Sequence, residues 1–367
     1  MLLQDVFLET AKDDLIDLVA QHQPIPVDRN FRWDSYIAMS LMQKAIRRGD
    51  ENNALFAGMF LLNSNNRNFW KRLCICALED VGIANLKLVA QVLLVDKGKR
   101  FREGMGDSTQ IAQAMICALC KSPKDRSSDD LIDAIKSGSS YAEYIADAAE
   151  LPTTHLKAII ASKTEPIQHR TISAVQLATG WDGFPSDLRK GHGWFKVLHD
   201  ISEDVASPCV LAVSLLGIQR TVALMAPLLT LLYAHKPLVS KYAHDDLLNA
   251  VDIDGLPSWV LDGHVRPGLH SFRIYIQRSY RMKRFLARHA TREVSPSKTV
   301  AGLVFRIESG QLANRLDWQE GRHLKQQACA NRPGLPTEAA PEAMSILRSE
   351  FDLLNECRIT AMRDYLR

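Results

Sequence analysis

The sequence predicts an all-α protein, a multi-helix bundle. Apolar residues return every third or fourth position through almost every segment, and strand-like alternation over several residues is nearly absent. Gly and Pro also fall in clusters between the periodic runs, at 104–106, 122–123 and 180–185, where helices stop.

The elements follow in order. Ser35 to Arg48 carries Ile37, Leu41, Ala45 and Ile46 on one face. Glu51 to Leu62, Phe69 to Val81 and Leu86 to Asp96 continue the period. Ser108 is the expected N-cap of Thr109 to Lys121, and Ser128 that of Asp129 to Ile135. The stretch Thr179 to Pro185 is the expected boundary between a domain 1–180 and a domain 181–367. Val222 to Ala234 reads as a buried core helix, since a bilayer span needs about 20 apolar residues. An irregular stretch, Asn331 to Pro341, precedes a last amphipathic helix, Glu342 to Tyr365.

A chain of 367 residues with 46% apolar and 24% charged residues is an ordinary globular protein with a sizeable core. The formal net charge of +3 says little about partners, so the distribution of charge has to be read instead. Seven cysteines spread along the chain are not the dense even set of a disulfide scaffold. The start, MLLQDVFLETAKDDL, has acids where a signal peptide needs positive charge. The expectation is a reducing cytoplasm and no membrane partner.

The text "KAIRRGDENNALFAGMFLL", Lys44 to Leu62, is followed by "FWKRLCICALEDVGIANLKLV", Phe69 to Val89. It resembles the helical C-terminal region of the RarA (MgsA) and Werner-helicase-interacting-protein family of clamp-loader-like ATPases of replication forks. The matching positions are Ile46, Arg47, Arg48, Gly49 and Asp50 in a basic turn, then Ala54 and Leu55, then Lys71, Arg72 and Leu73. Glu79, Asp80, Val81, Gly82, Ile83 and Ala84 complete the match, and Ser122-Pro123-Lys124 sits where the family has a P-K-S turn. The likeness covers roughly residues 33 to 137. It implies a clamp-loader-collar-like N-terminal half on a helical C-terminal half. No G-x-x-x-x-G-K-[ST] occurs, so the scaffold comes without the motor. Taken alone, Glu79-Asp80-Val81-Gly82 reads as a helix end closed by a glycine.

Several short motifs carry little. Cys117-x-x-Cys120 lacks a second ligand pair and reads as buried thiols. Asp252-x-Asp254-Gly255 has its glycine in the wrong place for a calcium loop. His199-Asp200 and His244-Asp245 are two-residue matches to metal phosphohydrolases. No metal and no cofactor are expected.

The basic run is stronger. From Arg266 to Arg292 it holds Arg266, Arg273, Arg278, Arg281, Lys283, Arg284, Arg288 and Arg292, and no acid occurs before Glu293. Arg281, Arg284, Arg288 and Arg292 share one helical face, opposite Tyr275, Met282 and Leu286. Such a face suits a phosphate backbone. Lys71, Arg72, Lys97, Lys99, Arg100 and Arg102 extend the surface.

The loop "WVLDGHVRPG", residues 259–268, feeds into this run. It sets Asp262 and His264 two positions apart, with Trp259 positioned to wall a pocket or stack on a base. Removing a base from a DNA sugar passes through an oxocarbenium-like state that one carboxylate can stabilise. Asp262 is the expected catalytic carboxylate and His264 its orienting partner or proton donor. Arg266 and Arg273 hold flanking phosphates in this reading, with Asp252, Asp254 and Glu79 as reserve carboxylates. The chain is also similar to the all-helical prokaryotic antiphage DNA glycosylases of the bacteriophage-replication-inhibition type. These remove glucosylated hydroxymethylcytosine from T-even phage DNA. A non-catalytic, ATPase-less DNA-binding adaptor is the competing expectation.

Overall fold

The computed structural model describes residues 3–27, 30–136, 141–179, 193–198, 207–220 and 225–367. It is 73% helical. The helices of the first part are α1 (Leu3–Gln21), α2 (Ser35–Arg48), α3 (Glu51–Ser64), α4 (Asn66–Cys76), α5 (Leu86–Val95), α6 (Lys99–Glu103) and α7 (Ser108–Lys121). They continue with α8 (Ser127–Lys136), α9 (Ala142–Glu150), α10 (Thr153–Ala161), α11 (Ile167–Thr179), α12 (Pro208–Arg220) and α13 (Met225–Tyr233). The last part holds α14 (Arg266–Arg278), α15 (Tyr280–His289), α16 (Pro296–Val304), α17 (Gln319–Ala330), α18 (Ala340–Ser349) and α19 (Phe351–Tyr365).

Local chemistry explains the boundaries. Asp34 caps α2 by accepting from the Ile37 amide at 2.8 Å. The helix ends at Gly49, whose φ of 71° lets Asp50 N–H turn back to Ala45 at 2.9 Å. Asp50 then caps α3 through the Asn53 amide. The basic Arg47-Arg48-Gly49-Asp50 turn is therefore the hinge of an αα-hairpin. The cap of α7 is Asp107 and not Ser108, because its carboxylate accepts from the Thr109 and Gln110 amides. Likewise α8 starts at Ser127, where Asp125 rather than Ser128 takes the first amide.

Two long expected helices are broken. The basic run bends at Ser279, which ends α14 and caps α15 through the Met282 amide. The last helix divides at Glu350 into α18 and α19. The two breaks meet in space, for Tyr275 and Ser279 both donate to the Glu350 carboxylate. The Glu350 carboxylate thereby satisfies both hydroxyls at the point where the two helices stop.

The strands are minor. Lys241–Ala243 pairs antiparallel with Arg315–Asp317. Asp252–Ile253 pairs with Leu256–Pro257 across Asp254 and Gly255, at φ 59° and 81°. Two left-handed residues are what a tight hairpin turn requires, which accounts for the D-x-D-G text without a metal.

The buried apolar side chains form two clusters. The larger runs from α1 through α13 and takes in Trp259, Val260, Leu261, Leu316 and Leu324. The smaller joins α14, α15, α16, α18 and α19 through Phe272, Tyr275, Met282, Leu303, Leu347 and Leu354. The expected boundary at 179–185 lies, but for Thr179, outside the described residues, as do His199 and Asp200. The described part of the run 222–234 is α13, whose interior is buried. Among the described residues no helix is long and apolar enough to cross a membrane.

Candidate functional site: a charged cavity between the two cores

Several elements meet around a cavity of about 630 Å³. On α2, Ser40, Gln43, Lys44 and Arg47 share one face, because three and four residues make a turn. Opposite lies the loop from Asp262 to His264, which runs into the first turns of α14. Further parts of the wall come from Glu79, Asp129 and Asp133, and from Phe305 and Arg332.

The loop is held tightly. Ser40 Oγ donates to the Val260 carbonyl at 2.8 Å. A Cβ on Gly268 would lie 1.9 Å from the Asp262 carbonyl oxygen, so only glycine lets α14 start this close to the loop. Asp262 is buried, and its carboxylate accepts from the His264 amide at 3.0 Å. Its Oδ2 lies 3.0 Å from His264 Nδ1 and 3.0 Å from Lys44 Nζ. Burial alone would raise the Asp262 pKa, but the Lys44 charge and the His264 hydrogen bonds outweigh it and hold the carboxyl far below its usual range. Lys44 also donates to Ser40 Oγ. Burial pulls its ammonium pKa down, against the opposing pull of Asp262.

The two residues of the D-x-H pair therefore differ. The Asp262 side chain is 1% exposed and the His264 side chain 75%. With Nδ1 turned to Asp262, His264 Nε2 has no partner among the described residues. This is how a carboxylate fixes an imidazole so that the far nitrogen can take a proton.

Across the cavity runs a ladder of alternating charge. Arg47 binds Glu79 and Asp80, each at 2.7 Å, and Arg126 binds Glu79, Asp80 and Asp129. Arg306 reaches Asp130 and Asp133, and Arg332 reaches Asp133 at 3.3 Å. Phe305 lies among three of these guanidinium groups, 5.6 Å from Arg47, 5.2 Å from Arg126 and 5.5 Å from Arg306. Its ring centroid is 6.3 Å from that of His264. Two single-turn π-helical segments reach the wall: Ala77–Val81 places Glu79 there with Asp80 buried behind it, and Phe305–Ser309 places Phe305 there and carries Arg306 of the ladder. Such segments cost backbone geometry and are frequent at functional sites.

The other expected site residues scatter. Arg266 and Arg273 are exposed on α14, at i−3 and i+4 of Leu269, which itself lines the cavity. Arg72 lines the cavity and donates to Gln43, while Lys71 is exposed on α4. Arg278 is tied to Glu356 at 2.7 Å. Arg281, Arg284 and Arg288 line a different groove, of about 330 Å³, against Glu342 on α18. Trp259 is not on the cavity wall: it is 3% exposed, in the larger core, with Arg48 over its ring at 5.3 Å. Arg102 is buried over Trp70 and leaves the expected basic surface.

Of the reserve carboxylates only Glu79 reaches the cavity, for Asp254 pairs with Arg32 on the surface. His244 is exposed, and Asp245 is bound by Arg315 and Lys325. Cys117 and Cys120 are free buried thiols, and burial pushes Cys117 up to about 11. Among the described residues no group of three or more His, Cys, Asp or Glu is placed to hold a metal ion.

Sequence reasoning missed Lys44, Arg47, Arg126, Asp129, Asp133, Phe305, Arg306 and Arg332. The signal that existed was the family-like text, which opens on Lys44, holds Arg47 in its basic turn and Glu79 in its E-D-V-G element. Comparison with protein-family models, with curated proteins and with solved structures finds no match to this chain, so the site rests on its own geometry.

Proposed function

We propose that this chain is a DNA-acting enzyme that hydrolyses an N-glycosidic bond, releasing a base and leaving an abasic site. The observation that carries the reading is the Asp262–His264 pair on the wall of a cavity that also presents carboxylates, cations and an aromatic ring. A cavity of about 630 Å³ is within the size range of small-molecule sites, about 300–1,000 Å³. A base extruded from the strand stacks on Phe305. His264 Nε2 takes a proton from water as the water oxygen attacks C1′, and the base leaves with the electron pair of the broken C1′–N bond. Glu79 and Asp129 stabilise the positive sugar. Asp262 orients the imidazole instead of touching the sugar, because it is withdrawn from solvent. Arg266 and Arg273 bind flanking phosphates. The likeness to antiphage glycosylases directs the substrate class to modified bases of phage DNA, and the likeness to the RarA-type region makes the N-terminal helices a collar-like scaffold.

The test is abasic-site formation on modified and unmodified DNA, with a binding assay beside it. His264→Ala and Asp262→Asn are expected to lose base release by about 10²–10⁴-fold while binding survives. Full base release by His264→Ala overturns the assignment.

One observation favours a second reading, a DNA-binding adaptor without catalysis. Every wall carboxylate is already held by a cation. Binding without base release from any DNA is the outcome that selects it.

A further inference from the structure

The hydrolytic scheme leaves Lys44 without a chemical task. Its side chain is 4% exposed, yet it lines the cavity beside Asp262. A lysine serving only as a counter-ion has no need to open onto the space where substrate sits. Its surroundings lower its proton affinity, which brings the free amine within reach at milder pH than for a surface lysine. A desolvated lysine is the usual amine nucleophile toward carbonyl carbon.

We propose that Lys44 forms an imine with the C1′ aldehyde of an abasic deoxyribose held in the cavity, and that the protein thereby cleaves the strand. The inference rests on the cavity receiving a DNA sugar, as above, but not on the protein having released the base itself. The Lys44 ammonium loses two protons, relayed by the Asp262 carboxylate 3.0 Å away. They leave with the aldehyde oxygen as water while the N–C1′ double bond forms. The protonated imine keeps one N–H and stays opposite Asp262. It acidifies C2′. One C2′ proton passes to His264 Nε2, the exposed base of the cavity wall, the C3′–O bond breaks, and the 3′ phosphate departs with the electron pair. Water then hydrolyses the imine and returns Lys44.

The experiment uses the full chain and an oligonucleotide with one abasic site prepared beforehand from uracil, followed by sodium borohydride. The expected result is a covalent protein–DNA adduct whose modified peptide contains Lys44, and whose formation is lost in Lys44→Arg and Lys44→Met. Mapping the adduct on the wild-type protein keeps the test decisive if a Lys44 variant fails to fold. No adduct with folded wild type, or an adduct on Lys298, the other lysine of the cavity wall, overturns the proposal. The prepared site separates the two readings. An adduct without base release from intact DNA leaves this inference standing and removes the hydrolase, whereas base release without an adduct removes only this inference.

Discussion

Lys44 Nζ and Asp262 Oδ2 lie 3.0 Å apart, and neither side chain is more than 4% exposed. The pair joins α2 to the loop before α14, so it ties the candidate site to the larger core.

Breaking such a pair from one side leaves a buried charge uncompensated. Lys44→Met is expected to cost about 3–5 kcal/mol, read as a lower urea midpoint. The double variant Lys44→Met with Asp262→Leu recovers most of that loss. Equal destabilisation in the single and double variants is the result that removes this account.

The acid limb tests Asp262. Its folded pKa is depressed, so the group binds fewer protons in the folded than in the unfolded chain. Its contribution is fully present above the unfolded value of about 3.9 and is lost as pH falls through the lower folded value. The stability advantage of wild type over Asp262→Asn should therefore hold near neutrality and shrink below about pH 4. A gap that closes around pH 6 instead shows that another group controls it.

The two basic surfaces should separate by salt dependence. Arg281, Arg284 and Arg288 line their own groove, whereas Arg266 and Arg273 share the helix face of Leu269. Replacing the three with Ala should weaken duplex binding and lower the log–log salt slope by roughly 0.9 for each phosphate that is no longer neutralised. Replacing Arg266 and Arg273 should lower binding and base release together. An unchanged slope in both variants means that these arginines are merely solvated.

Phe305 should carry base stacking. Phe305→Leu keeps apolar volume but removes the ring, and stacking is worth about 1–3 kcal/mol per base. Substrate affinity should fall by about 10–100-fold with the melting temperature nearly kept, and Phe305→Tyr should retain most of it. Unchanged affinity in the Leu variant places the base elsewhere.

Gly82 closes the E-D-V-G element at φ 49° and ψ −133°. A Cβ there would lie 2.8 Å from the Asp125 backbone oxygen. Gly82→Ala should cost at least about 1–3 kcal/mol of stability and disturb Glu79 and Asp80. A variant as stable as wild type shows that the segment relaxes freely.

The helices were readable because their cause is local. Periodicity, Asp and Ser caps and Gly stops act within a turn or two, and α2, α3, α5 and α7 stand within a few residues of their expected bounds. The Asp262–His264 contact was readable for the same reason, being two residues long. Where a distant partner intervened, local reading failed: Ser279 and Glu350 break two helices by meeting each other.

By itself the sequence determined the helical class, the basic run and the carboxylate–imidazole loop. Only the tertiary structure decided that Asp262 is buried and His264 exposed, that Trp259 belongs to a core, and that Arg281, Arg284 and Arg288 line a groove away from the cavity. The reason is physical. Burial and charge pairing depend on which surfaces pack, and here they join Ser40 to Val260, 220 residues apart, and Arg306 to Asp130, 176 apart. No spacing rule within one helix or loop can state what such distant neighbours supply.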